Sequence, residues 1–251
     1  MDMEIVDGHE VGRKSFGRTY FDHTKFICQR RGVEDDYYYG IGKCRFADAT
    51  PEHIKALRLI KIPNDLIFPP YEEGLTIAPD PLPHNVYIKS PRLIDFGDSE
   101  ASSNVGLHLL HEAKMCELLK SNPHPNIAQY HGCTVRDGVI KGLCFQRYPL
   151  NLKKRAAENI PINIDHCFKY IKKGVKHMHT LDIAHNNIRP ENIMMDGDMP
   201  IIIDFASTLE FGASLAGWRA GAQPWIPPEA KQSTEYNDHY AALQIYHWLR
   251  A

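Results

Sequence analysis

The stretch His185-Asn186-Asn187-Ile188-Arg189-Pro190-Glu191-Asn192-Ile193-Met194-Met195-Asp196-Gly197-Asp198-Met199-Pro200-Ile201-Ile202-Ile203-Asp204-Phe205-Ala206 decides how this chain is read. Asp196-Gly197 stands between two apolar runs and is a hairpin turn signal. Asn192 lies a few residues before the turn and Asp204 a few after it, so antiparallel pairing brings both to the open end of the ribbon. An amide oxygen and a carboxylate held side by side suit a hard cation such as Mg²⁺, which prefers oxygen ligands. Mg²⁺ in turn recruits phosphates.

Immediately upstream, Ile164, Phe168, Ile171, Val175 and Met178 recur at helical spacing and predict an amphipathic helix leading into the loop. Further back, Val86-Tyr87-Ile88-Lys89 is a short strand pattern that ends in a cation and is closed by Pro91. After the acidic, serine-rich loop Asp98–Ser103, a helix is expected from about Asn104 to Lys120. Its stripe of Val105, Leu109, Cys116 and Leu119 is interrupted by Glu112. A carboxylate on a buried face needs a partner, and Lys89 is a candidate; the local pattern taken alone favours Glu112 solvated at the stripe's edge.

Taken in order, these segments resemble the eukaryotic protein kinase superfamily over about residues 86–248. Val86–Lys89 looks like the V-A-I-K strand, Glu112 like its ion-pair partner on helix C, and Pro123–Ile127 like H-P-N-I. Phe145-Gln146-Arg147-Tyr148 looks like the gatekeeper and hinge that meet adenine through backbone groups. His185–Asn192 looks like H-R-D-L-K-P-E-N, Asp204-Phe205-Ala206 like D-F-G, Pro227-Pro228-Glu229 like A-P-E, and Asn237–Tyr240 like the start of helix F. The segment from Pro123 to Cys133 and the early stop resemble short fungal kinase-like proteins. The resemblance implies ATP and Mg²⁺ as cofactors, with Lys89 on the phosphates, Glu112 positioning Lys89, and Asn192 and Asp204 on the metal.

The departures bear on activity. The family's catalytic aspartate, which orients the substrate hydroxyl and accepts its proton, is Asn187. Acid–base assistance is worth about 10²–10⁴ in rate, roughly 3–5.5 kcal/mol. Asn186 replaces the basic anchor for a phosphorylated activation loop, and Arg189 replaces the loop lysine while keeping a positive charge. Ala206 stands for the last glycine of D-F-G, and Gly221-Ala222 lacks a hydroxyl the family often has there.

Residues 1–47 alternate short aromatic and β-branched runs with charged turns, predicting short strands that include Thr24–Cys28 and Tyr37–Tyr39. Val11–Tyr20 resembles a glycine-rich loop with Lys14 at the middle glycine, or is a coincidental turn. If it were the true loop, Lys43 would compete with Lys89 for the phosphate lysine. Thr50-Pro51-Glu52 predicts a helix running to about Lys61. The proline-dense residues 63–91 cannot be continuous helix and read as an extended connector.

Composition sets the outer bounds. The 251 residues are 43% hydrophobic and 24% charged, with a net charge of −2. That describes an ordinary globular chain of one large domain or two lobes. It argues against general binding to nucleic acid, which usually needs a basic surface. No apolar run is long enough to span a bilayer, and the start, Met1-Asp2-Met3-Glu4, lacks a secretory core segment. The six cysteines form no C-x-x-C pair and read as reduced, mostly buried thiols. Neither His108-x-x-His111-Glu112 nor His177-x-His179 supplies a four-ligand metal set.

The expected fold is α+β: a two-lobed protein kinase-like fold with an elaborated N-terminal region and a shortened C-lobe ending near helix F. Residues 1–85 would belong to or pack on the N-lobe, 86–148 form its core to the hinge, and 149–251 form the C-lobe. The site is expected at Asn187, Lys89, Glu112 and Arg189 for chemistry, at Lys89, Phe145, Gln146 and Tyr148 for nucleotide, and at Asn192 and Asp204 for metal. The expected function is ATP–Mg binding by a pseudokinase or strongly impaired kinase. The alternatives are an active protein kinase acting on Ser/Thr hydroxyls, a small-molecule phosphotransferase, or a kinase-shaped module without nucleotide. Arg189-Pro190-Glu191-Asn192 and Pro227-Pro228-Glu229 favour the protein kinase branch over the small-molecule one. The expected partners are ATP and an unidentified protein, with neither nucleic acid nor membrane, and the expected setting is intracellular, cytoplasmic or nuclear.

Overall fold

The computed structural model describes residues 2–15, 17–99, 101–218 and 221–251. Phe16, inside the Val11–Tyr20 stretch, and Glu100, in the serine-rich loop, lie outside the described residues. The chain forms two compact units, both discontinuous in sequence. Residues 1–69 and 91–107 make the first, and residues 70–90 and 108–251 the second.

The first unit is built on an antiparallel sheet of β1 (Met3–Ser15), β2 (Arg18–Arg30), β3 (Tyr37–Gly42) and β4 (Ile60–Lys61), in that spatial order. Where the sequence predicts short strands, β1 and β2 are each 13 residues long and pair along their whole length, with two register shifts. Thr24–Cys28 is buried on both faces, so its residues do not alternate inside and out. Phe26 and Cys28 pack with Ile54 of α1 (Pro51–Ala56). On the other face, Lys25 donates to Phe96 O at 2.6 Å and to Asp98 Oδ1 at 2.5 Å.

Helix α1 begins as expected, with Thr50 capping His53 N and Pro51 in the first turn. It does not run to Lys61. Leu57 is already extended, and Ile60–Lys61 pairs with Tyr38–Tyr39 as β4. Sheet pairing to a distant strand outweighs the local preference to continue five further residues of helix.

In the second unit, β5 (Val86–Lys89), β7 (Val139–Gln146) and β6 (Tyr130–Arg136) form an antiparallel sheet with β7 in the centre. The proline-rich connector contains no helix longer than the single turn Asn64–Leu66. Its 70–78 portion bonds to the far edge of this sheet: Cys133 N donates to Thr76 O and Ala78 N to Cys133 O. Gly132 permits that approach. It sits at φ 131°, and a Cβ there would lie 2.6 Å from Ala78 N.

Helix α2 (Val105–Ser121) begins at Asn104, whose Oδ1 accepts from Leu107 N, and it buries Val105, Leu109, Glu112, Cys116 and Leu119 on one stripe. Beyond the sheet come β8 (Leu150–Asn151), α3 (Leu152–Ala157) and α4 (Ile164–His179). Asn163 caps α4, and its buried face includes Ile171, Gly174, Val175 and Met178. Strands β9 (Ile183–Ala184), β10 (Ile193–Asp196), β11 (Met199–Ile202) and β12 (Leu209–Glu210) follow, then α5 (Glu235–Arg250). The predicted hairpin forms: β10 pairs with β11 from Ile193↔Ile202 to Asp196↔Met199, with Gly197 at φ 56° in the turn. All six cysteines are free thiols.

Candidate functional site: the Lys89–Glu112–Asp204 cluster

Lys89, the last residue of β5, is carried to the α2 stripe by its pairing with β7. Its Nζ donates to Glu112 Oε1 at 2.7 Å and to Asp204 Oδ1 at 2.5 Å. Glu112 is 2% exposed, so the solvated alternative for this carboxylate falls away. Its Oε1 also accepts from Phe205 N at 3.0 Å, which joins helix α2 to the segment after β11. Burial works against the Lys89 ammonium, but the two carboxylates outweigh it and hold its pKa above the ordinary lysine range. Burial raises the Glu112 pKa, with Lys89 opposing. Asp204 shows the reverse balance: burial acts to raise its pKa, and the Lys89 charge brings it below the ordinary value.

The hairpin places the expected metal pair at its open end. Ile203 N donates to Asn192 O, extending the ribbon by one bond past the Ile193↔Ile202 pair. Asn192 is nearly buried, and its Nδ2 donates to Asn187 O at 2.9 Å. That fixes the amide and leaves Oδ1 as the atom for a cation. Asp204 takes a left-handed backbone, φ 67° and ψ 75°, at the point where β11 gives way to a short turn. Lys43 belongs to the first unit, where it is largely exposed and donates to Asp22 O. Gly12 and Ser15 pair with Phe21 and Arg18 near the end of the β1–β2 ribbon, in a sheet that does not contain the Lys89 strand.

The catalytic-loop residues are held by a network that the sequence reading missed. Asp238, in the first turn of α5, is fully buried and accepts from His185 N, Asn186 N and His179 Nε2. Its signal was present in the pattern: Asp238, Ala241, Ala242 and Ile245 stand at helical spacing on one buried stripe, as Glu112 does on α2. Asn186 adopts φ 59°, a left-handed conformation that asparagine tolerates better than most residues. Its amide NH₂ is shared among Ala184 O, Ser207 O and Ser233 Oγ, and its Oδ1 accepts from Asn237 Nδ2. Asn186 is therefore a buried tie between segments.

Asn187 is half-buried, and a Cβ on Gly221 would lie 3.5 Å from its Oδ1. Arg189 does not stand free. Its Nε donates to Glu191 Oε2 at 2.8 Å, and Glu191 also accepts from Lys153. These contacts, led by Arg189, hold the Glu191 carboxyl down at about 2.

The hinge stretch is partly closed by its own fold. Phe145 is 6% exposed and packs against the Tyr130 ring in a tilted arrangement, centroids 5.4 Å apart, so its ring belongs to the core. Gln146 N donates to Gln129 O and Arg147 N to Asn85 O, so two backbone donors of this stretch are already bonded within the protein. The Tyr148 hydroxyl accepts from Gln129 N. His111 donates to Thr208 O, and both it and His108 contact the Trp218 ring.

A model of the protein kinase domain matches residues 96–243, more than half of the chain. The chain belongs to the protein kinase family. Its α+β fold is kinase-like, with a strand-rich amino-terminal portion and few helices. The calcium/calmodulin-dependent protein kinase type II subunit delta of Oryctolagus cuniculus is 27% identical over 139 residues, which is 50% of this chain and 25% of that protein. The kinase-like chain thus spans about a quarter of the length of that relative. Among solved structures, the yeast RNA Pol II CTD kinase CTDK-1 complex contains a chain with a TM-score of 0.49 and 18% identity, over 57% of this chain and 49% of that one. Kinases of this family use ATP and Mg²⁺. No helix among the described residues is long and apolar enough to cross a membrane.

Proposed function

We propose that this kinase-family chain binds ATP–Mg²⁺ and is a pseudokinase or strongly impaired kinase. The Lys89–Glu112 ion pair at 2.7 Å, with Asp204 on the same ammonium, carries the reading. The donor set suits the cofactor. Asp204 and Asn192 offer a carboxylate and an amide oxygen, the ligand types a hard cation takes. With both carboxylates ionised, the Lys89–Glu112–Asp204 cluster holds one excess negative charge, which a cation at Asp204 would offset and so free the ammonium for phosphate oxygens. Bound Mg²⁺ would supply charge neutralisation at the phosphates. Asn192 would hold it through Oδ1, and Glu112 would keep Lys89 in place.

Asn187 supports the impaired reading. Its amide can orient a hydroxyl near Gly221 but has no basicity to accept the proton. The loose transition state of phosphoryl transfer needs little base assistance, so slow transfer to a Ser/Thr hydroxyl is the second reading. The protein that this chain acts on or binds would be recognised outside the cluster.

Thermal denaturation with ATP, with and without Mg²⁺, tests the proposal. At a hundred times the dissociation constant the ligand stabilises the fold by about 2.7 kcal/mol. Asp204→Asn keeps a residue suited to the left-handed backbone but removes the charge, and it should abolish the Mg²⁺-dependent part. No shift at saturating ATP would overturn nucleotide binding and leave a kinase-shaped binding module.

A further inference from the structure

We infer that His179, Glu235 and His239 form a binding site for a zinc-class divalent cation, with an open fourth position facing a lysine-lined cleft. His179 is the last residue of α4, Glu235 is the first of α5, and His239 lies one turn further along α5. Each offers a ligand atom, and these atoms lie within 4.8 Å of one another. Two imidazoles and a carboxylate form an N₂O donor set, which suits Zn²⁺ and disfavours Mg²⁺.

A second observation points the same way. His179 is buried, and its Nε2 donates to Asp238 Oδ2 at 3.0 Å. Asp238 also accepts two backbone N–H bonds, so the carboxylate is the acceptor and the imidazole the donor. With Nε2 committed to that carboxylate, Nδ1 is the ring atom that remains for a cation. A carboxylate behind a ligating histidine is the arrangement that orients imidazoles on zinc.

The surroundings set the fourth position. Lys169, Lys172, Lys173 and Lys176 line the cleft of about 580 Å³ that the three ligands share. Their charges oppose a bare dication, and Glu235 offsets only part of that. The fourth ligand is therefore an anion, such as phosphate or a carboxylate, drawn by the lysines. Tetrahedral zinc with bonds of about 2.0–2.1 Å needs ligand atoms about 3.3 Å apart. Glu235 and His239 are exposed and can close that gap by rotation. The site backs directly onto Asp238, so occupancy would brace the residue that holds the His185–Asn186 backbone.

The test uses tag-free full chain, stripped with chelator and titrated with Zn²⁺ by calorimetry, with Co²⁺ absorption as the geometry reporter. Glu235→Gln and His239→Ala change exposed side chains, and circular dichroism verifies their folding. One equivalent should bind, weakened at least tenfold in each variant, with the four-coordinate Co²⁺ spectrum lost in the double variant. The chain has fourteen histidines, so scattered weak sites are the competing result. Equal Zn²⁺ affinity in the chain and the double variant, or no one-equivalent binding at all, would overturn the assignment.

Discussion

Removing the Lys89 ammonium should cost stability in a pH-dependent way that the geometry fixes. In Lys89→Met, Glu112 stays 2% exposed and loses the cation 2.7 Å away, while Phe205 N still donates to it. An unpaired buried carboxylate would be worth several kcal/mol of destabilisation, but the group escapes by taking up a proton. From the ordinary value of 4.5 for a glutamate, protonation at pH 7 costs about 3.4 kcal/mol at 1.36 per pH unit. That is the ceiling on the loss at Glu112. The variant's folded state then binds a proton that the unfolded chain does not, so its stability falls as pH rises above 4.5 and is regained as pH drops. The loss relative to the unaltered chain should be about 3 kcal/mol at pH 7 and about 1.4 kcal/mol at pH 5.5. Urea denaturation followed by tryptophan fluorescence reads it, because Trp218, Trp225 and Trp248 all lie in the unit that holds Lys89. The double variant Lys89→Met/Glu112→Leu should recover most of the pH 7 loss. A loss below about 0.5 kcal/mol at pH 7, or one equally large at both pH values, would refute the paired, buried carboxylate.

Three further outcomes follow from the loop network. Asn187→Asp restores a base beside Gly221 and should raise ATP-dependent phosphorylation of a basic protein substrate by about 10²–10⁴; an unchanged rate would mean that the base is not what limits transfer. Asn186→Arg should destabilise by about 3 kcal/mol, because it breaks the bonds to Ala184, Ser207, Ser233 and Asn237 in a buried space. An unaltered urea midpoint would show that the cavity accepts the family's residue. Asp238→Asn should cost about 2–4 kcal/mol, since an amide NH₂ would face backbone donors; native stability in that variant would remove Asp238 from the role given to it.

The divide between what is legible in the chain and what is not follows the range of the interactions. Thr50-Pro51 and Asp196-Gly197 mark a helix start and a hairpin turn through atoms at most a few residues apart, and each forms where it reads. The stripes of α2 and α4 are equally local, because a 3.6-residue period decides which side chains share a face. The ordered segments from Lys89 to Tyr240 therefore point to the kinase fold before any coordinates. Longer-range partners are a different matter. The same residues 57–61 can continue α1 or pair with Tyr38–Tyr39, and the sheet decides. Glu112 could be solvated on its own helix; Lys89 and Phe205, 23 and 93 positions away, make it a buried ion. Asn186 reads as a lost arginine and Asp238 as one more acid at a helix start. Only the folded chain brings them together, because a buried polar group is defined by partners from other segments, and local sequence carries no record of which segments those are.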